Sequence, residues 1–265
     1  MGIRTVRKIN FFKAGMIFIT LIITALLVLA ILSLFLVPDP VDVWNNLWSE
    51  EMIFSMKFSL ITGLISTLLV MVVALPIAYT LSRFQFKGIG FVKTIIDLPV
   101  AFPELVLGLC LLLLFGNTPV GKFLKLIGLD FVFTQAGVVA AQFFTALPYA
   151  CRILKSTFDY IDPRLEFVSR SLGYSQRETF INISLPLARS GILASVVIAF
   201  ARCIGTFGTV LILAGGTFMK TEVLPITLYL NISYGNMGMA LTSGIVLMVI
   251  SFFAIYIFEK AEVSL

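Results

Sequence analysis

Residues 162–186 read DPRLEFVSRSLGYSQRETFINISLP and form a polar, sharply punctuated segment in a chain that is otherwise apolar. Asp162 can cap a helix that has Pro163 at its first position, where the missing proline N–H removes no helical hydrogen bond. Gly173 supplies the left-handed backbone conformation with which helices often end. A short helix is therefore expected between Asp162 and Gly173.

A second short helix is expected to follow at once. Ser175 and Glu178 match the S-x-x-E capping box, in which each residue binds the backbone N–H of the other. Pro186 should break or kink this helix, because proline has no N–H and its ring clashes with the preceding turn. The segment thus predicts a helix-turn-helix. A pair of amphipathic helices lying on a lipid surface is the alternative interpretation.

The composition excludes a soluble globular domain. Apolar residues make up 59% of the 265 residues and charged residues 12%, and the mean hydropathy is +1.06. Runs that are apolar and long enough to cross a bilayer mark an all-α, polytopic membrane protein with six transmembrane helices. The predicted spans are 14–37, 58–82, 98–116, 134–151, 190–215 and 236–258.

The placement of positive charge predicts the orientation in the cell membrane. Lys and Arg cluster in the N-terminal tail, in the loop after the second span and in the loop 152–189, whereas Asp39, Asp42, Glu50 and Glu51 lie between the first two spans. Positively charged loops stay on the cytoplasmic side. Both termini and the loop 152–189 are therefore expected in the cytoplasm. A concentrated basic face for nucleic acid is not found.

Catalysis by the chain itself is not expected. The sequence has no histidine, which excludes H-E-x-x-H zinc chemistry and a Ser–His dyad, and no metal site is predicted. Gly116–Lys122 has the G-x4-G-K spacing of a phosphate-binding loop, but Phe123 stands where Ser or Thr would bind Mg²⁺. The chain should bind no cofactor, and any ATP-driven motor must be a separate subunit.

The spacing from Gly173 to Ile183, Leu185 and Pro186 resembles the G-x9-I-x-L-P core of the EAA loop of bacterial and archaeal ABC importer permeases. Four further segments resemble the molybdate permease subunit: Leu147–Tyr149, Asp162–Glu166, Ala199–Gly208 and Lys220–Pro225. The resemblance covers residues 55–258 and implies one permease domain over residues 1–265, with its coupling loop at 152–189.

The resemblance also implies partners and a substrate class. These are two copies of an ATP-binding cassette subunit that holds ATP and Mg²⁺, an external oxyanion-binding protein and a second copy of this chain. Molybdate or tungstate is the expected cargo, and sulfate is the alternative. An ATP-independent secondary transporter is a different class; it often has inverted repeats, and none is evident between the two halves of this sequence.

The residues expected to contact the ATPase surround the glycine of the coupling loop. Phe167 occupies the position at which the family has its glutamate, and Glu166 falls one residue earlier, so apolar packing is expected to outweigh a charge contact. The predicted contact set is Glu166, Phe167, Arg170, Leu172, Gly173, Tyr174 and Ser175.

A membrane pathway is suggested by one helical face of the fifth span, which carries Ser195, Ala199, Arg202, Thr206 and Thr209. Arg202 should lie about 18 Å into the bilayer, close to the midplane, where charges usually face a cavity or a partner. The pathway interpretation has Arg202 attracting a tetrahedral dianion. In the alternative, the small residues pack helices together and Arg202 pairs with Glu104 of the third span.

Overall fold

The structure, a computed structural model, describes residues 11–263. The cations Arg4, Arg7 and Lys8 and both chain ends, on which the predicted orientation partly rests, lie outside this range. The helices in chain order are α1 (Phe11–Leu36), α2 (Pro40–Leu47), α3 (Glu50–Arg83), α4 (Ile89–Ala101), α5 (Glu104–Asn117), α6 (Pro119–Leu126), α7 (Gln135–Tyr160), α8 (Pro163–Ser171), α9 (Gln176–Thr179), α10 (Leu185–Leu187), α11 (Arg189–Gly205), α12 (Gly208–Ala214), α13 (Leu224–Ser233) and α14 (Met237–Val263), with a π-helical turn, Phe180–Ser184, between α9 and α10.

Four continuous helices, α1, α3, α7 and α14, are long and apolar enough to cross a membrane. The count rises to six if each of two sharply bent helix pairs forms one span. The predicted spans 14–37, 58–82, 134–151 and 236–258 coincide with the four continuous helices, and three of them exceed the helix by one residue at one end. The all-α membrane fold is thus confirmed, although two of the six predicted spans are not straight helices.

The predicted span 98–116 is broken. Helix α4 ends at Ala101, α5 begins at Glu104, and the two axes are bent by 118°. Phe102 is extended, with ψ 144°, because the ring of Pro103 disfavours a helical conformation in the residue before it. The prediction of one helix missed this break, since hydropathy alone does not register backbone geometry.

The predicted span 190–215 is broken as well. Helix α11 ends at Gly205 and α12 begins at Gly208, so Thr206 and Phe207 connect two helices. Before α11, the chain bends by 73° at Ala188, where the helical segment Gln176–Leu187 meets it. The fifth membrane segment therefore begins where the polar helix-turn-helix ends, and only Ala188 separates α10 from α11.

Small side chains allow α3, α7 and α11 to pack closely. Ala74, Ala78, Ala146, Ala150 and Ala199 are all completely buried in one apolar cluster shared by the three helices. Inside a membrane the lipid is as apolar as the protein, so close packing between small residues supplies much of the association between helices. The polar segment 162–186 rests on this cluster, because Phe180 packs against it.

A buried amide links two of these helices. The Ser66 hydroxyl of α3 donates to Oε1 of Gln142 on α7 at 2.9 Å, and the Gln142 amide donates to the hydroxyl of Thr62 at 3.3 Å. Such bonds between membrane helices contribute about 0.6 kcal/mol on average. Their main effect is therefore to fix the register of α3 against α7, and their contribution to the free energy of unfolding is small.

We expect Leu154→Ala to destabilise the chain by about 2 kcal/mol, the lower end of the range for a cavity left by leucine. Leu154 is fully buried in the α3–α7–α11 cluster, and in detergent the packing loss dominates because the unfolded chain is also in apolar surroundings. The denaturation midpoint followed by circular dichroism measures the effect. Leu68→Ala, at an exposed position of α3, is the control, and an equal loss in both variants would contradict the assignment of this core.

Candidate functional site

The first helix of the polar segment is built as its capping residues predict. The Asp162 carboxylate accepts a hydrogen bond from the backbone N–H of Arg164 at 2.9 Å, and α8 starts at Pro163. Gly173 has a φ of +98°, and the N–H of Tyr174 donates to the carbonyl of Ser169 at 3.3 Å. The left-handed glycine thus closes the helix end and reverses the chain.

The second helix starts with the predicted capping box. The N–H of Ser175 donates to Glu178 Oε2 at 2.8 Å, and the N–H of Glu178 donates to the Ser175 hydroxyl at 3.2 Å. Hydrogen bonds from the Ser175 side chain and backbone lower the pKa of Glu178. The helix continues past Pro186 and bends only at Ala188. The kink lies two residues later than predicted, because the wide π-helical turn before Pro186 accommodates the proline.

Glu166 is tied to the body of the chain. Its carboxylate accepts from Arg83 Nε at 3.0 Å, from the Ser184 hydroxyl at 2.8 Å and from the Tyr79 hydroxyl at 3.3 Å. The Arg83 guanidinium also donates to the carbonyl of Ile161 at 2.9 Å. The Glu166 side chain is only 12% exposed. Its predicted place in the outward contact set is therefore corrected: the carboxylate anchors α8 to the end of α3 and to the π-helical turn.

The neighbouring residues point away from the chain. Phe167 is 73% exposed, Leu172 75% and Tyr174 48%. Arg170, Gly173 and Ser175 are exposed with them. A shallow apolar groove beside these side chains is lined by Leu165, Val168, Leu172, Tyr174, Ile183 and Leu187. We name Phe167, Leu172, Tyr174 and this groove the coupling surface. An apolar surface on a segment with polar flanks is typical of a protein contact.

Glu104 occupies the break in the fifth membrane segment. Its Oε2 accepts from the backbone N–H groups of Phe207 at 3.1 Å and Gly208 at 2.9 Å, and its carbonyl accepts from the Thr209 hydroxyl at 3.1 Å. A carboxylate is stabilised at this position because the N-terminal end of a helix carries partial positive charge. A Cβ added to Gly208 would lie 2.9 Å from Glu104 Cβ, so glycine is needed for the close approach.

Arg202 does not pair with Glu104, and that prediction is wrong. The Arg202 guanidinium carbon lies 4.1 Å from the centroid of the Tyr149 ring, a cation–π contact. Arg202 is exposed on the surface of the chain, whereas the Glu104 carboxylate is directed at backbone N–H groups beyond the helix break. The end of α11 at Gly205 separates the two partners, and a continuous helix had been assumed.

The predicted polar stripe also does not share one exposed face. Ser195, Ala199, Thr206 and Thr209 are all completely buried within the chain. Their hydroxyls serve packing: that of Thr206 donates to the carbonyl of Arg202 at 2.7 Å, and that of Thr145 donates to Thr209 at 3.2 Å. Of the five predicted positions, Arg202 alone faces outward.

Sequence reasoning missed the partners of these residues. Tyr79 and Ser184 were given no role, and Arg83, which directly follows the predicted span 58–82, was used only for the orientation. Tyr149 belongs to the Leu147–Tyr149 segment noted for its resemblance, and it was not assigned to Arg202. Arg83 at the end of an apolar helix was a visible signal, whereas Tyr79, Tyr149 and Ser184 lie inside helical segments where nothing in the sequence marks their partners.

Broken membrane helices around a partly buried charge, together with an exposed apolar helix-turn-helix at one end of the bundle, define a permease-type transport subunit. Residues 71–261 match the family described as the binding-protein-dependent transport system inner membrane component. The chain belongs to this family.

Relatives of known name support the assignment. The chain is 32% identical over 240 residues to the molybdate/tungstate transport system permease protein WtpB of Methanocaldococcus jannaschii, covering 88% of this chain and 93% of the relative. It is 32% identical to a probable molybdenum ABC transporter permease protein of Haloferax volcanii, covering 83% and 80%. A sulfate transport system permease protein of Salmonella typhimurium is 28% identical, covering 71% and 69%.

Solved structures show the same fold. A chain of a bacterial alginate ABC transporter, in complex with an alginate pentasaccharide-bound periplasmic protein, superposes with a TM-score of 0.76 at 19% identity, covering 96% of both chains. A chain of the MetNI methionine ABC transporter in an inward-facing conformation gives a TM-score of 0.62 at 17% identity, covering 82% of this chain and 98% of that one. The type I ABC importer permease fold is thereby confirmed.

We expect Arg83→Ala to loosen α8, because it leaves the nearly buried Glu166 carboxylate without its cation, a loss of about 3 kcal/mol. Backbone hydrogen exchange of α8 should become faster on the order of a hundredfold. Arg170→Ala, at an exposed position of the same helix, should leave exchange unchanged. Arg83→Lys should restore part of the protection. Unaltered exchange in Arg83→Ala would show that Glu166 is not an anchor.

Proposed function

We propose that this chain is the membrane-spanning permease subunit of an ATP-driven importer for a tetrahedral oxyanion. The observation that carries the proposal is the coupling surface: large apolar side chains exposed on a short capped helix whose inner face is fastened by Glu166. A rigid, apolar coupling surface at the edge of a membrane bundle is suited to bind in a groove on an ATPase subunit. ATP hydrolysis belongs to that partner, the ATP-binding cassette subunit.

The mechanism follows from the connection between the coupling surface and the membrane helices. Helix α8 is fixed to α3 through Arg83, and the helix that follows it runs at Ala188 into α11. A displacement of the coupling surface is therefore transmitted to two membrane segments at once. Binding of ATP draws the two motor subunits together, and the permease helices shift between inward-open and outward-open states. ATP can drive this only by binding the two states with different affinity.

The orientation follows the positive-inside rule. The loop 152–189 is rich in Arg, so we place the coupling surface in the cytoplasm and the acidic start of α3 on the outer side. Both termini are then cytoplasmic. In this arrangement the ATPase subunits, two copies, dock from inside, and an oxyanion-binding protein delivers its cargo from outside.

Arg202 is the proposed charge of the translocation pathway, which would form between two copies of this chain. An exposed guanidinium within a membrane segment needs a cavity or a partner. In the single chain, the Tyr149 ring provides a cation–π contact for Arg202. In a symmetric dimer two such guanidinium groups would face one central path. Their combined charge favours a dianion. Glu104 would not oppose it, because the Glu104 carboxylate is held by backbone N–H groups.

Molybdate or tungstate is the proposed cargo, and sulfate is the second candidate. The relatives that are 32% identical are named for molybdate, tungstate or molybdenum, and the sulfate permease is 28% identical. The affinities of the partner binding protein for the three oxyanions, followed by competition in uptake, would test the cargo. Sulfate that competes better than molybdate would reverse the order.

A secondary transporter is excluded if transport needs the partner. We expect this chain to co-purify with an ATP-binding cassette subunit and to take up oxyanion in vesicles only with the complete complex and ATP. Uptake by this chain alone, in vesicles free of nucleotide, would overturn the importer assignment.

Phe167→Ala should weaken the complex with the ATPase subunit by about 2 kcal/mol, roughly thirtyfold in affinity, as expected for an aromatic residue central to an interface. ATP hydrolysis should then no longer respond to the loaded binding protein. Phe91→Ala removes a similarly exposed aromatic side chain from α4 and should have no effect. Equal affinities for wild type and Phe167→Ala would contradict the proposed contact.

Arg202→Ala should reduce oxyanion uptake at least about tenfold, since focused charge changes the capture of an ion by that factor or more. Assembly with the ATPase and its basal hydrolysis should persist, because Arg202 is exposed and has no ion pair with any side chain that the structure describes. Arg202→Lys should retain part of the uptake, and Lys122→Ala, at an exposed position on a loop helix, should retain all of it. Normal uptake by Arg202→Ala would remove this residue from the pathway.

A further inference from the structure

Glu222 lies in the connection between α12 and α13, at the end of the bundle opposite the coupling surface. Helix α3 begins beside it at Glu50 and ends at Arg83, which holds Glu166, so the two ends are roughly 48 Å apart at the usual helical rise. Glu222 is completely buried. A fully buried carboxyl group is unusual, because a charge is costly to bury unless it is paired, and Glu222 has no role in the coupling surface.

One oxygen of Glu222 lacks a donor. Its Oε2 accepts from the backbone N–H of Met219 at 2.8 Å, whereas Oε1 is buried without a hydrogen-bond partner. Among the described residues no other buried side-chain nitrogen or oxygen is in this position. A buried polar atom without a hydrogen-bond partner is unfavourable, and a bound proton is one ligand that would remove this cost.

The side chain that faces Glu222 from α3 is another carboxyl group. Glu51 and the Thr227 hydroxyl both lie within hydrogen-bonding reach of Glu222; the Thr227 hydroxyl donates to Ser55 at 2.7 Å, and Glu51 Oε1 accepts from the Asn231 amide at 2.6 Å. Helix α13, the other element packed here, presents only the uncharged Thr227 and Asn231. The one neighbouring cation in the same loop, Lys220, is exposed to solvent.

Hydroxyl groups complete the contact between α3 and the loop. The Thr227 hydroxyl donates to that of Ser55 at 2.7 Å, and the backbone N–H of Leu224 donates to the Ser59 hydroxyl at 2.8 Å. Both serine oxygens are thus already engaged by α13. A proton is the ligand that needs no additional volume, and it would supply the donor that Glu222 Oε1 lacks.

We propose that Glu222 and Glu51 form a proton-binding site that fastens the loop Thr217–Val223 to the start of α3. One proton is taken from solvent by Glu222 Oε1 and donated as a hydrogen bond to the Glu51 carboxylate; it returns to solvent when the loop separates. The bound proton supplies the missing donor and removes the repulsion between two buried negative charges. Without it, both carboxylates are ionised and the loop leaves α3.

The pH dependence has a defined sign. Burial, followed by the nearby charge of Glu51, raises the pKa of Glu222 to about 7 from an ordinary value of 4.5. A raised pKa means that the closed loop binds the proton more tightly than the open loop. The stabilisation is complete below the ordinary value and is lost as the pH rises to about 7. Between these values the opening constant should increase about tenfold for each pH unit.

The test uses the full chain in lipid nanodiscs, with protons as the only varied ligand. Infrared absorption of protonated carboxyl groups should show a band at pH 5 that disappears with a midpoint near the pKa of Glu222, about 7. Glu222→Gln should lack this band, and its amide should donate permanently to Glu51. Its thermal midpoint should therefore stay constant where that of the wild type falls with rising pH. Glu50→Gln, at the exposed neighbouring position, is the control and should behave as wild type.

Three results would overturn the proposal. One is a wild-type chain without the band at pH 5, and a second is a band that persists in Glu222→Gln. The third is a thermal midpoint that follows sodium or calcium at fixed pH, which would assign the carboxyl pair to a metal ion. Should Glu222→Gln fail to fold, Glu51→Gln is the second variant: removing the neighbouring charge should move the midpoint of the band to lower pH, while burial keeps it above the ordinary value, and an unchanged midpoint would overturn the pairing of the two carboxyl groups.

Discussion

The contact between Glu166 and Arg83 is the constraint on which the rest of the structure depends. It joins the polar helix pair α8–α9 to the end of α3, the longest helix among the described residues, and it does so where both side chains are about nine-tenths buried. A charge in such surroundings has no competing partner in water, so the position of α8 is defined by one guanidinium, two hydroxyl groups and a carbonyl. Because α8 is held in this way, the exposed side chains of the coupling surface are also held in a defined position.

The helix break between α11 and α12 imposes a second constraint, because it lies within a membrane segment. Each break exposes backbone N–H groups that lipid cannot satisfy. Glu104 meets this need at the start of α12 by accepting two of them, and Thr209 closes the arrangement through its hydroxyl. A carboxylate that sequence reasoning assigned to a cation is thus used by the backbone. Glu104 therefore does not neutralise Arg202, whose guanidinium contacts the Tyr149 ring.

Much of the fold was predictable from sequence because its signals are local. The capping residues Asp162 and Ser175 and the left-handed Gly173 act within a few residues of themselves, and the structure confirms each of them. The helix breaks near Pro103 and Phe207 were missed because apolar length conceals backbone geometry. The partners of Glu166, Glu104 and Arg202 were missed because they lie far away in the sequence, where a periodic pattern carries no information on pairing.

Glu166 and Phe167 are adjacent in the sequence yet face opposite ways, one into the chain and one out of it. Successive residues of an α-helix are separated by a rotation of about 100°. A deletion or insertion of one residue between Ile161 and Glu166 would therefore turn the Phe167 ring or the Leu165 side chain toward Arg83 and move the carboxylate toward solvent. Single substitutions at the outer face can be tolerated and matched by changes in a partner. A change in the length of this turn would therefore break the contact with Arg83, whereas a substitution at Phe167 would leave that contact in place.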